Sequence, residues 1–212
     1  IYTGEDTLSL HDALPICLVC GMTTIVKAKL KRGLWILAAC CALRTLRRRY
    51  RSAAVVFGLR CRRPFKNGKS NIMLAIIGGT GLTQLANLNI TRRQFVRTPY
   101  GDPSGALTFG EINGHEVVFL ARHGYGHTIA PHEINYRANL WALHRQKLAG
   151  IVSVASVGGI RADLAPGRLV APDQIIDYTW GRKSTFHENS DEPVVHIDFT
   201  EPYDEAIRQR IL

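Results

Sequence analysis

Three short motifs bring together the chemical groups that bind an oxyanion. They are Gly78-Gly-Thr-Gly81, Arg122-His-Gly124 and Ala155-Ser-Val-Gly-Gly159. Glycine-rich loops present backbone N–H groups that no side chain obstructs, and a guanidinium can hold a phosphate through two hydrogen bonds. Singly, a Gly-Gly-Thr-Gly motif is more often only a tight turn, and an Arg-His pair at a strand end is more often only a solvated terminus. Together, they predict a phosphate site.

The glycine loop departs from the two common nucleotide-binding loops. Gly79-Thr-Gly-Leu-Thr-Gln84 lacks the third glycine of the dinucleotide fingerprint, and Asp102, the first acid downstream, falls in a Pro/Gly-rich turn. The Gly-Lys-Ser/Thr of a Walker loop does not follow either. Cys17-Leu-Val-Cys20 has no second Cys or His pair at zinc-finger distance. We therefore expect no nucleotide cofactor and no metal.

The elements that must position these motifs alternate between strands and helices. Leu74–Ile77 is a short apolar run that predicts a buried strand ending in the first glycine loop. Asn113-Gly114 is a strong hairpin signal between two further strands. Besides the first strand, we predict strands over Leu107–Ile112, Glu116–Leu120, Ile151–Val157 and Arg168–Asp177, and helices over Ile134–Leu148 and Asp204–Leu212. The pattern predicts an α/β domain with a central mixed sheet.

Charge and cysteine content divide the chain near residue 72. All five cysteines precede residue 62, and residues 1–72 carry 14 basic but only three acidic side chains. The remainder carries 13 basic and 14 acidic side chains. The net charge of +10 therefore belongs to the first third of the chain, and it does not indicate that residues 73–212 bind nucleic acid.

Residues 1–72 are predicted to be a non-native or disordered basic extension, with the native start at Met73. The chain opens with Ile, Thr7–Ile16 resembles translated sequencing adapter, and arginine- and cysteine-rich sequence with few acids is typical of non-coding DNA read as protein. The alternative is a basic arm that binds membrane or nucleic acid. Its apolar run, Leu34–Leu43, is shorter than the roughly 20 residues of a membrane-spanning helix.

Residues 73–212 resemble the methylthioadenosine phosphorylase branch of the purine nucleoside phosphorylase family. Four motifs carry the resemblance, in the family's order and spacing: Ile76–Leu82, Leu120–Gly124, Asn135–Leu143 and His196–Tyr203. Three segments are most similar to the bacterial S-methyl-5′-thioinosine phosphorylases: Gly81–Leu85, Val157–Ile160 and Ile176–Thr179. The resemblance implies a phosphorylase-type α/β domain, a central mixed β-sheet flanked by helices, that is truncated at its C-terminal side.

The resemblance also implies a set of site residues. Thr80, Arg122 and His123 are expected to hold phosphate, and the Ala155-Ser156 turn is expected to close the same site. Family members with a Thr-Ala pair at this turn carry the hydroxyl one residue earlier, so Ser156 would substitute for it. His196 is expected to reach into the 5′-substituent pocket of a neighbouring subunit, which implies a homotrimer.

The implied reaction is phosphorolysis of a purine nucleoside, first S-methyl-5′-thioinosine, to free purine and (5-methylthio)ribose 1-phosphate. Such a pentosyltransferase of purine salvage would act in the cytoplasm, on nucleoside and phosphate, without membrane or nucleic acid. Because phosphate is the nucleophile and a co-substrate, we expect no cofactor and no catalytic side-chain nucleophile. Alternative substrates are S-methyl-5′-thioadenosine and general 6-oxopurine nucleosides. A non-enzymatic basic protein that binds membrane or nucleic acid is the alternative of another class.

The residue that selects the purine base is expected beyond the end of this chain. In the family, an Asp or Asn that contacts the N7 edge of the purine comes after the position of Leu212. Asp favours 6-amino purines there, and Asn favours 6-oxo purines. We therefore expect the 212-residue chain alone to be inactive.

Overall fold

One mixed sheet forms the centre of the computed structural model, which describes residues 53–60, 73–79, 82, 85–188 and 193–212. The strands are β1 (Ala53–Arg60), β2 (Leu74–Gly78), β3 (Asn89–Gln94), β4 (Leu107–Ile112), β5 (His115–Ala121), β6 (Gly150–Val157) and β7 (Leu169–Val170). The helices among these residues are α1 (Tyr136–His144) and α2 (Glu205–Ile211). The strand order is β3-β4-β5-β2-β6-β1-β7, which confirms the predicted α/β class with a mixed sheet.

Strand β2 lies between two parallel neighbours, β5 and β6. Ile77 pairs with Leu120 on one side and with Ser153 on the other. The carboxyl ends of these three strands therefore meet at one edge of the sheet. In open α/β sheets, this edge is where ligands bind.

The two faces of the central strands bury different clusters of side chains. On one face, residues of β2, β5 and β6 pack with α1: Ala75, Ile77, Val118, Leu120, Ile151, Ala142 and Leu143. On the other face, the alternate residues pack with α2: Ile76, Phe119, Val152, Ile207 and Ile211. Because both faces are covered, the central strands are apolar at nearly every position rather than at alternate ones.

The predicted hairpin is confirmed, and its turn has the expected geometry. Strand β4 has the predicted bounds, and β5 begins one residue before the predicted start. Asn113 has a φ of 51° and Gly114 a φ of 79°. Two successive positive φ values are the signature of a tight hairpin turn that follows the twist of the strands.

Helix α1 is shorter than the predicted Ile134–Leu148. It begins after Asn135, whose side-chain oxygen accepts a hydrogen bond from the N–H of Ala138 at 3.1 Å. It ends at His144, because Lys147 already has a left-handed φ of 56°. Helix α2 lies within the predicted range and is capped in the same way by Asp204.

The strand predicted over Arg168–Asp177 is wrong except for Leu169–Val170. Pro172, which is fully buried, has no N–H to donate to a ladder. Gln174 then donates through its side chain to the carbonyls of Phe199 and Thr200, at 3.3 and 3.1 Å. Side-chain hydrogen bonds thus hold this segment where we expected backbone pairing.

Two strands occur where none was predicted. Strand β3 is exposed at all six residues, so it shows no alternation of apolar and polar side chains. Strand β1 lies within the stretch predicted to be a non-native or disordered extension, and its backbone pairs antiparallel with all eight residues of β6. That residues 1–72 are not native stays a prediction, and most of them lie outside the described residues.

Candidate functional site

The carboxyl ends of β2 and β5 are tied together by backbone hydrogen bonds. Gly78 pairs with Ala121, and the N–H of Arg122 donates to the carbonyl of Gly78 at 2.9 Å. The N–H of Leu82 also donates to the carbonyl of Gly79 at 3.0 Å. Gly78 and Gly79 are therefore anchored directly beside the Arg-His-Gly motif.

Gly79 allows three chain segments to approach one another closely. A Cβ at this position would lie 2.3 Å from Nη2 of Arg122 and 2.8 Å from the carbonyl oxygen of Val154. Such distances are far below van der Waals contact, so only glycine fits between the guanidinium and β6. The contact brings the ends of β2, β5 and β6 together at one point.

Arg122 places a buried positive charge at this point. Its side chain is only 4% exposed, and its Nε has no hydrogen-bond partner among the described residues. Arg137, Arg161 and Arg208 form ion pairs with carboxylates, whereas Arg122 forms none with the described residues. A buried charge is costly unless it is paired and hydrogen-bonded. The site therefore favours an anion next to Arg122.

His123 is held in one orientation by its loop. It is 4% exposed, its Nδ1 lies 2.9 Å from the carbonyl oxygen of Ile129, and the N–H of Ile129 donates back to the carbonyl of His123 at 3.1 Å. A carbonyl oxygen can only accept, so Nδ1 carries the hydrogen. In the neutral ring, Nε2 is then the hydrogen-bond acceptor.

The surroundings of His123 favour this neutral form. Burial lowers the pKa of His123, more than the hydrogen bond to Ile129 raises it, and the charges of Arg122 and His127 lower that pKa further. The ring of His127 lies 4.6 Å away, between centroids. A buried guanidinium and an imidazole whose neutral form is favoured thus lie next to each other in the chain.

Ala155 and Ser156 lie next to this point, but in a strand. Both belong to β6, where they pair with Val55 and Ala54 of β1. The strand predicted over Ile151–Val157 is confirmed and contains both residues, so the turn that we also expected at Ala155-Ser156 is wrong. Ala155 is buried in the core and Ser156 is half-buried. Their roles in phosphate binding stay predictions.

The remaining predicted residues are not brought to the same point. Thr80 lies outside the described residues. His196 is exposed in an irregular segment, and no hydrogen bond or ion pair among the described residues joins it to Arg122 or His123. A role for His196 in a neighbouring subunit's pocket stays a prediction. Within the described part of the chain, no group of three His, Cys, Asp or Glu residues could hold a metal ion.

The residues whose hydrogen bonds hold the segment next to the site loop in place were not predicted from the sequence. The side chain of Asn139, 2% exposed, accepts from the N–H of Ser104 at 2.7 Å and donates to its hydroxyl at 2.9 Å. The carbonyl of Ser104 lies 3.5 Å from the Cβ position of Gly124, and Tyr125 donates to the carbonyl of Ala106 at 2.8 Å. The sequence feature that could have indicated them is the pair Asn135 and Asn139, which lie one helical turn apart and therefore on the same face of the predicted helix.

Known proteins resemble this chain over the same region. The model of the Phosphorylase superfamily matches residues 73–212. The probable S-methyl-5′-thioinosine phosphorylase of Pseudomonas syringae pv. tomato is 50% identical over 138 residues, which are 65% of this chain and 56% of that protein. The probable 6-oxopurine nucleoside phosphorylase of Thermococcus kodakarensis is 44% identical over 144 residues, 66% of this chain and 53% of that protein.

A solved structure shares the fold. Methylthioadenosine phosphorylase from Schistosoma mansoni, in complex with adenine, superposes with a TM-score of 0.55 at 35% identity, covering 65% of this chain and 51% of that one. The chain spans about half the length of the relatives that it matches. Among the described residues, no helix is long and apolar enough to cross a membrane. The strand ends of residues 73–212 favour an anion, and the family match over the same residues shows that the chain belongs to the Phosphorylase superfamily.

Proposed function

We propose that the protein catalyses phosphorolysis of a purine nucleoside, with S-methyl-5′-thioinosine as the preferred substrate. The products are the free purine and 5-methylthioribose 1-phosphate. The observation that carries this proposal is the buried guanidinium of Arg122, pressed against Gly79 and without a partner carboxylate among the described residues. Its position at the ends of three strands is where an α/β sheet receives a ligand.

The chemistry needs an anion held in place rather than an activated side chain. Phosphate attacks the sugar carbon while the bond to the purine breaks, and positive charge develops on the sugar. Arg122 offsets the cost of bringing phosphate into a buried site, and the amides of the glycine loop with Thr80 set its direction of attack. Ala155 and Ser156, at the end of β6, line the neighbouring side. No cofactor enters this scheme, and inorganic phosphate is the co-substrate.

The choice of nucleoside rests on the names of the relatives. Proteins named as acting on S-methyl-5′-thioinosine include those of Pseudomonas syringae and Xanthomonas campestris, at 50% and 47% identity. A relative named S-methyl-5′-thioadenosine phosphorylase, from Hyperthermus butylicus, is 45% identical. S-methyl-5′-thioadenosine and general 6-oxopurine nucleosides are therefore the second candidates. Superfamily membership supports an enzyme over a non-enzymatic basic protein.

The assembly that fits this reaction is a homotrimer acting in the cytoplasm, in which His196 reaches a neighbouring subunit's 5′-substituent pocket. The segment around His196 carries large apolar side chains that are exposed in the single chain: Val194, Ile197 and Phe199. Exposed apolar clusters of this kind are typical of subunit interfaces. Light scattering after gel filtration measures the mass, and a monomer that is fully active would contradict the shared pocket.

Purine release tests the reaction. The protein expressed from its own gene is incubated with S-methyl-5′-thioinosine, S-methyl-5′-thioadenosine or inosine, with and without phosphate, and free base is measured by chromatography. We expect release only with phosphate, and the highest kcat/KM for S-methyl-5′-thioinosine. Release that proceeds equally without phosphate would identify a hydrolase instead. Binding of phosphate to the 212-residue chain, by calorimetry, tests the site independently of turnover.

A further inference from the structure

We propose that residues Arg182–Glu188 form a strap that Arg137 fastens to helix α1, and that the fastened strap keeps the site loop, residues 122–131, in place. Arg137 is then a positioning residue, because it acts on the site through the strap. The inference rests on the proposed function in one respect, which is that phosphate is expected at this loop. The coupling between strap and loop can be measured without phosphate.

One buried cation fastens the strap. The side chain of Arg137 is 9% exposed, and its Nη1 lies 2.6 Å from Oε2 of Glu188 and donates to the carbonyl of Thr185 at 3.1 Å. Its Nε has no hydrogen-bond partner among the described residues. A buried charge that loses its partner is strongly destabilising. If the strap lifted away, Arg137 would lose both Glu188 and Thr185, so the burial of its charge favours the fastened form.

Aromatic contacts support the same attachment. The ring of Phe186 lies 5.0 Å from the ring of Tyr100, between centroids, and the guanidinium carbon of Arg137 lies 5.1 Å from the centre of the Tyr100 ring. Tyr100 is itself tied to the start of α1, because its carbonyl accepts from the side chain of Asn135 at 2.6 Å. Trp180, just before the strap, is 90% exposed. The attachment of this stretch to α1 therefore begins within the strap.

Tyr136 connects the strap to the site loop. Nη1 of Arg182 donates to the hydroxyl of Tyr136 at 3.5 Å, and its guanidinium lies 5.7 Å from the ring centre, within the range of a cation–π contact. The same hydroxyl donates to the carbonyl of Pro131 at 2.9 Å. Ile129 packs against the small apolar cluster that contains Tyr136, and its N–H donates to the carbonyl of His123 at 3.1 Å. The contacts therefore run without a gap from the strap to His123.

Loosening the strap should therefore be felt at the site. Without the strap in place, Tyr136 loses the cation that lies against its ring and hydroxyl, and its hold on Pro131 weakens. Energetic coupling between two parts of a protein is reciprocal. A ligand that orders the site loop should accordingly favour the fastened strap.

Hydrogen exchange followed by mass spectrometry tests the coupling on the 212-residue chain. In Glu188→Gln, Arg137 loses its carboxylate, and peptides from the strap should exchange about 10-fold faster. This is the low end for a hydrogen bond to a charged group, because the side chain of Glu188 is 41% exposed. Peptides from the site loop should exchange faster in the same variant, by up to the same factor. Phosphate added to the unmodified chain should slow both sets of peptides.

Glu205→Gln is the matched control. It breaks an ion pair of the same kind, in which the side chain of Arg208 is 12% exposed and that of Glu205 is 53% exposed, on helix α2. Exchange of the strap and of the site loop should not change in this variant. Phe186→Ala loosens the strap without altering its charge, and it should reproduce the effect of Glu188→Gln on both sets of peptides.

Tyr136→Phe tests the route between strap and loop, because it removes the hydroxyl and retains the ring. The site loop should exchange faster in this variant, while the pair of Arg137 and Glu188 still protects the strap. Adding Glu188→Gln to Tyr136→Phe should then loosen the strap but accelerate the loop little further. Full additivity of the two substitutions at the loop would show that Tyr136 does not connect them.

The outcomes separate this inference from the proposed function. If Glu188→Gln leaves the strap unchanged, Arg137 does not fasten it. If the strap loosens and the site loop does not, the coupling is overturned, and phosphate that binds without slowing exchange of the strap overturns it equally. A chain that shows the coupling but binds no phosphate would contradict the proposed function alone.

Discussion

Arg122 determines the electrostatics of the site, because its charge is buried without a carboxylate among the described residues. Replacing it with alanine should raise the dissociation constant for phosphate about 10- to 100-fold, as expected for the loss of hydrogen bonds to a charged group. Calorimetric titration measures this change. Arg145→Ala, at an exposed arginine that follows α1, should leave phosphate binding unchanged. Unaltered phosphate affinity in Arg122→Ala would remove Arg122 from the site.

Gly79 sets the space in which that guanidinium lies. In Gly79→Ala, the new methyl group would overlap Nη2 of Arg122 and the carbonyl of Val154, at 2.3 and 2.8 Å. We expect both weaker phosphate binding and a lower unfolding midpoint, measured on the same preparation. Gly158→Ala is the matched control, since a Cβ there meets nothing within 4 Å. Equal behaviour of the two variants would show that the close approach at Gly79 is unimportant.

His123 should make stability depend on pH. Its pKa in the folded protein is lowered by burial and by its charged neighbours, whereas the unfolded chain has an ordinary histidine pKa of about 6.5. Between these two values the unfolded state binds more protons, so stability is complete above about pH 6.5 and declines as the pH falls toward the folded pKa. Urea unfolding from pH 8 to pH 5 measures the decline.

The variant His123→Gln removes the titrating group. Its stability should therefore decline less over this pH range than that of the unmodified chain. His144→Gln, at an exposed histidine at the end of α1, should retain the full decline. Parallel pH profiles for the unmodified chain and His123→Gln would contradict a buried neutral histidine.

At the scale of elements, helix α1 supports the loop that carries Arg122 and His123. Asn139 holds Ser104 through its N–H and its hydroxyl, and the carbonyl of Ser104 packs against Gly124. Asn135, one turn earlier, donates to the carbonyl of Tyr100 at 2.6 Å. The first turn of the helix thus positions the segment on which the site loop packs.

Asn139→Ala tests this support. Removing the amide leaves the N–H and hydroxyl of Ser104 without their partner, which typically costs about 1–3 kcal/mol for a buried group. The free energy of unfolding from urea titration should fall by that amount. Asn87→Ala, at an exposed turn residue, should change it little. A loss at Asn139 no larger than that at Asn87 would contradict a structural role for the amide.

At the scale of the whole molecule, the two edges of the sheet differ in how they are protected from pairing with other chains. Strand β3 forms one edge, and its residues are exposed. It carries arginines such as Arg92, whose guanidinium carbon lies 3.4 Å from the ring centre of Phe109. Charged edge strands resist pairing with other chains. Toward the other edge, the mostly apolar strand β6 pairs through its backbone with β1. Strand β1 lies outside the superfamily match.

A chain that begins at Met73 should therefore expose the edge of β6. We expect residues 73–212 to self-associate more than residues 53–212, which retain β1. Exposed apolar strand edges recruit further strands. Light scattering after gel filtration compares the masses at equal concentration. Identical masses for the two chains would show that β1 does not protect this edge.

The sequence was sufficient where a local pattern determines the structure. The apolar run of β2, the Asn113-Gly114 turn and the β-branched residues of β6 each predict their element without reference to the rest of the chain. The ends of α1 were less predictable, since the positive φ of Lys147 has no local signal. Strand β3 could not be predicted, because its exposed residues lack any periodicity.

By itself, the sequence determined the α/β class, the superfamily and the residue types of an anion site. Only the tertiary structure decided that Arg122 is buried against Gly79 and that Asn139 holds Ser104, against which the site loop packs. The physical reason is distance along the chain. Glycine loops and arginines can be read locally, but burial and close approach depend on which strands become neighbours, and here β2 joins segments more than 40 residues apart.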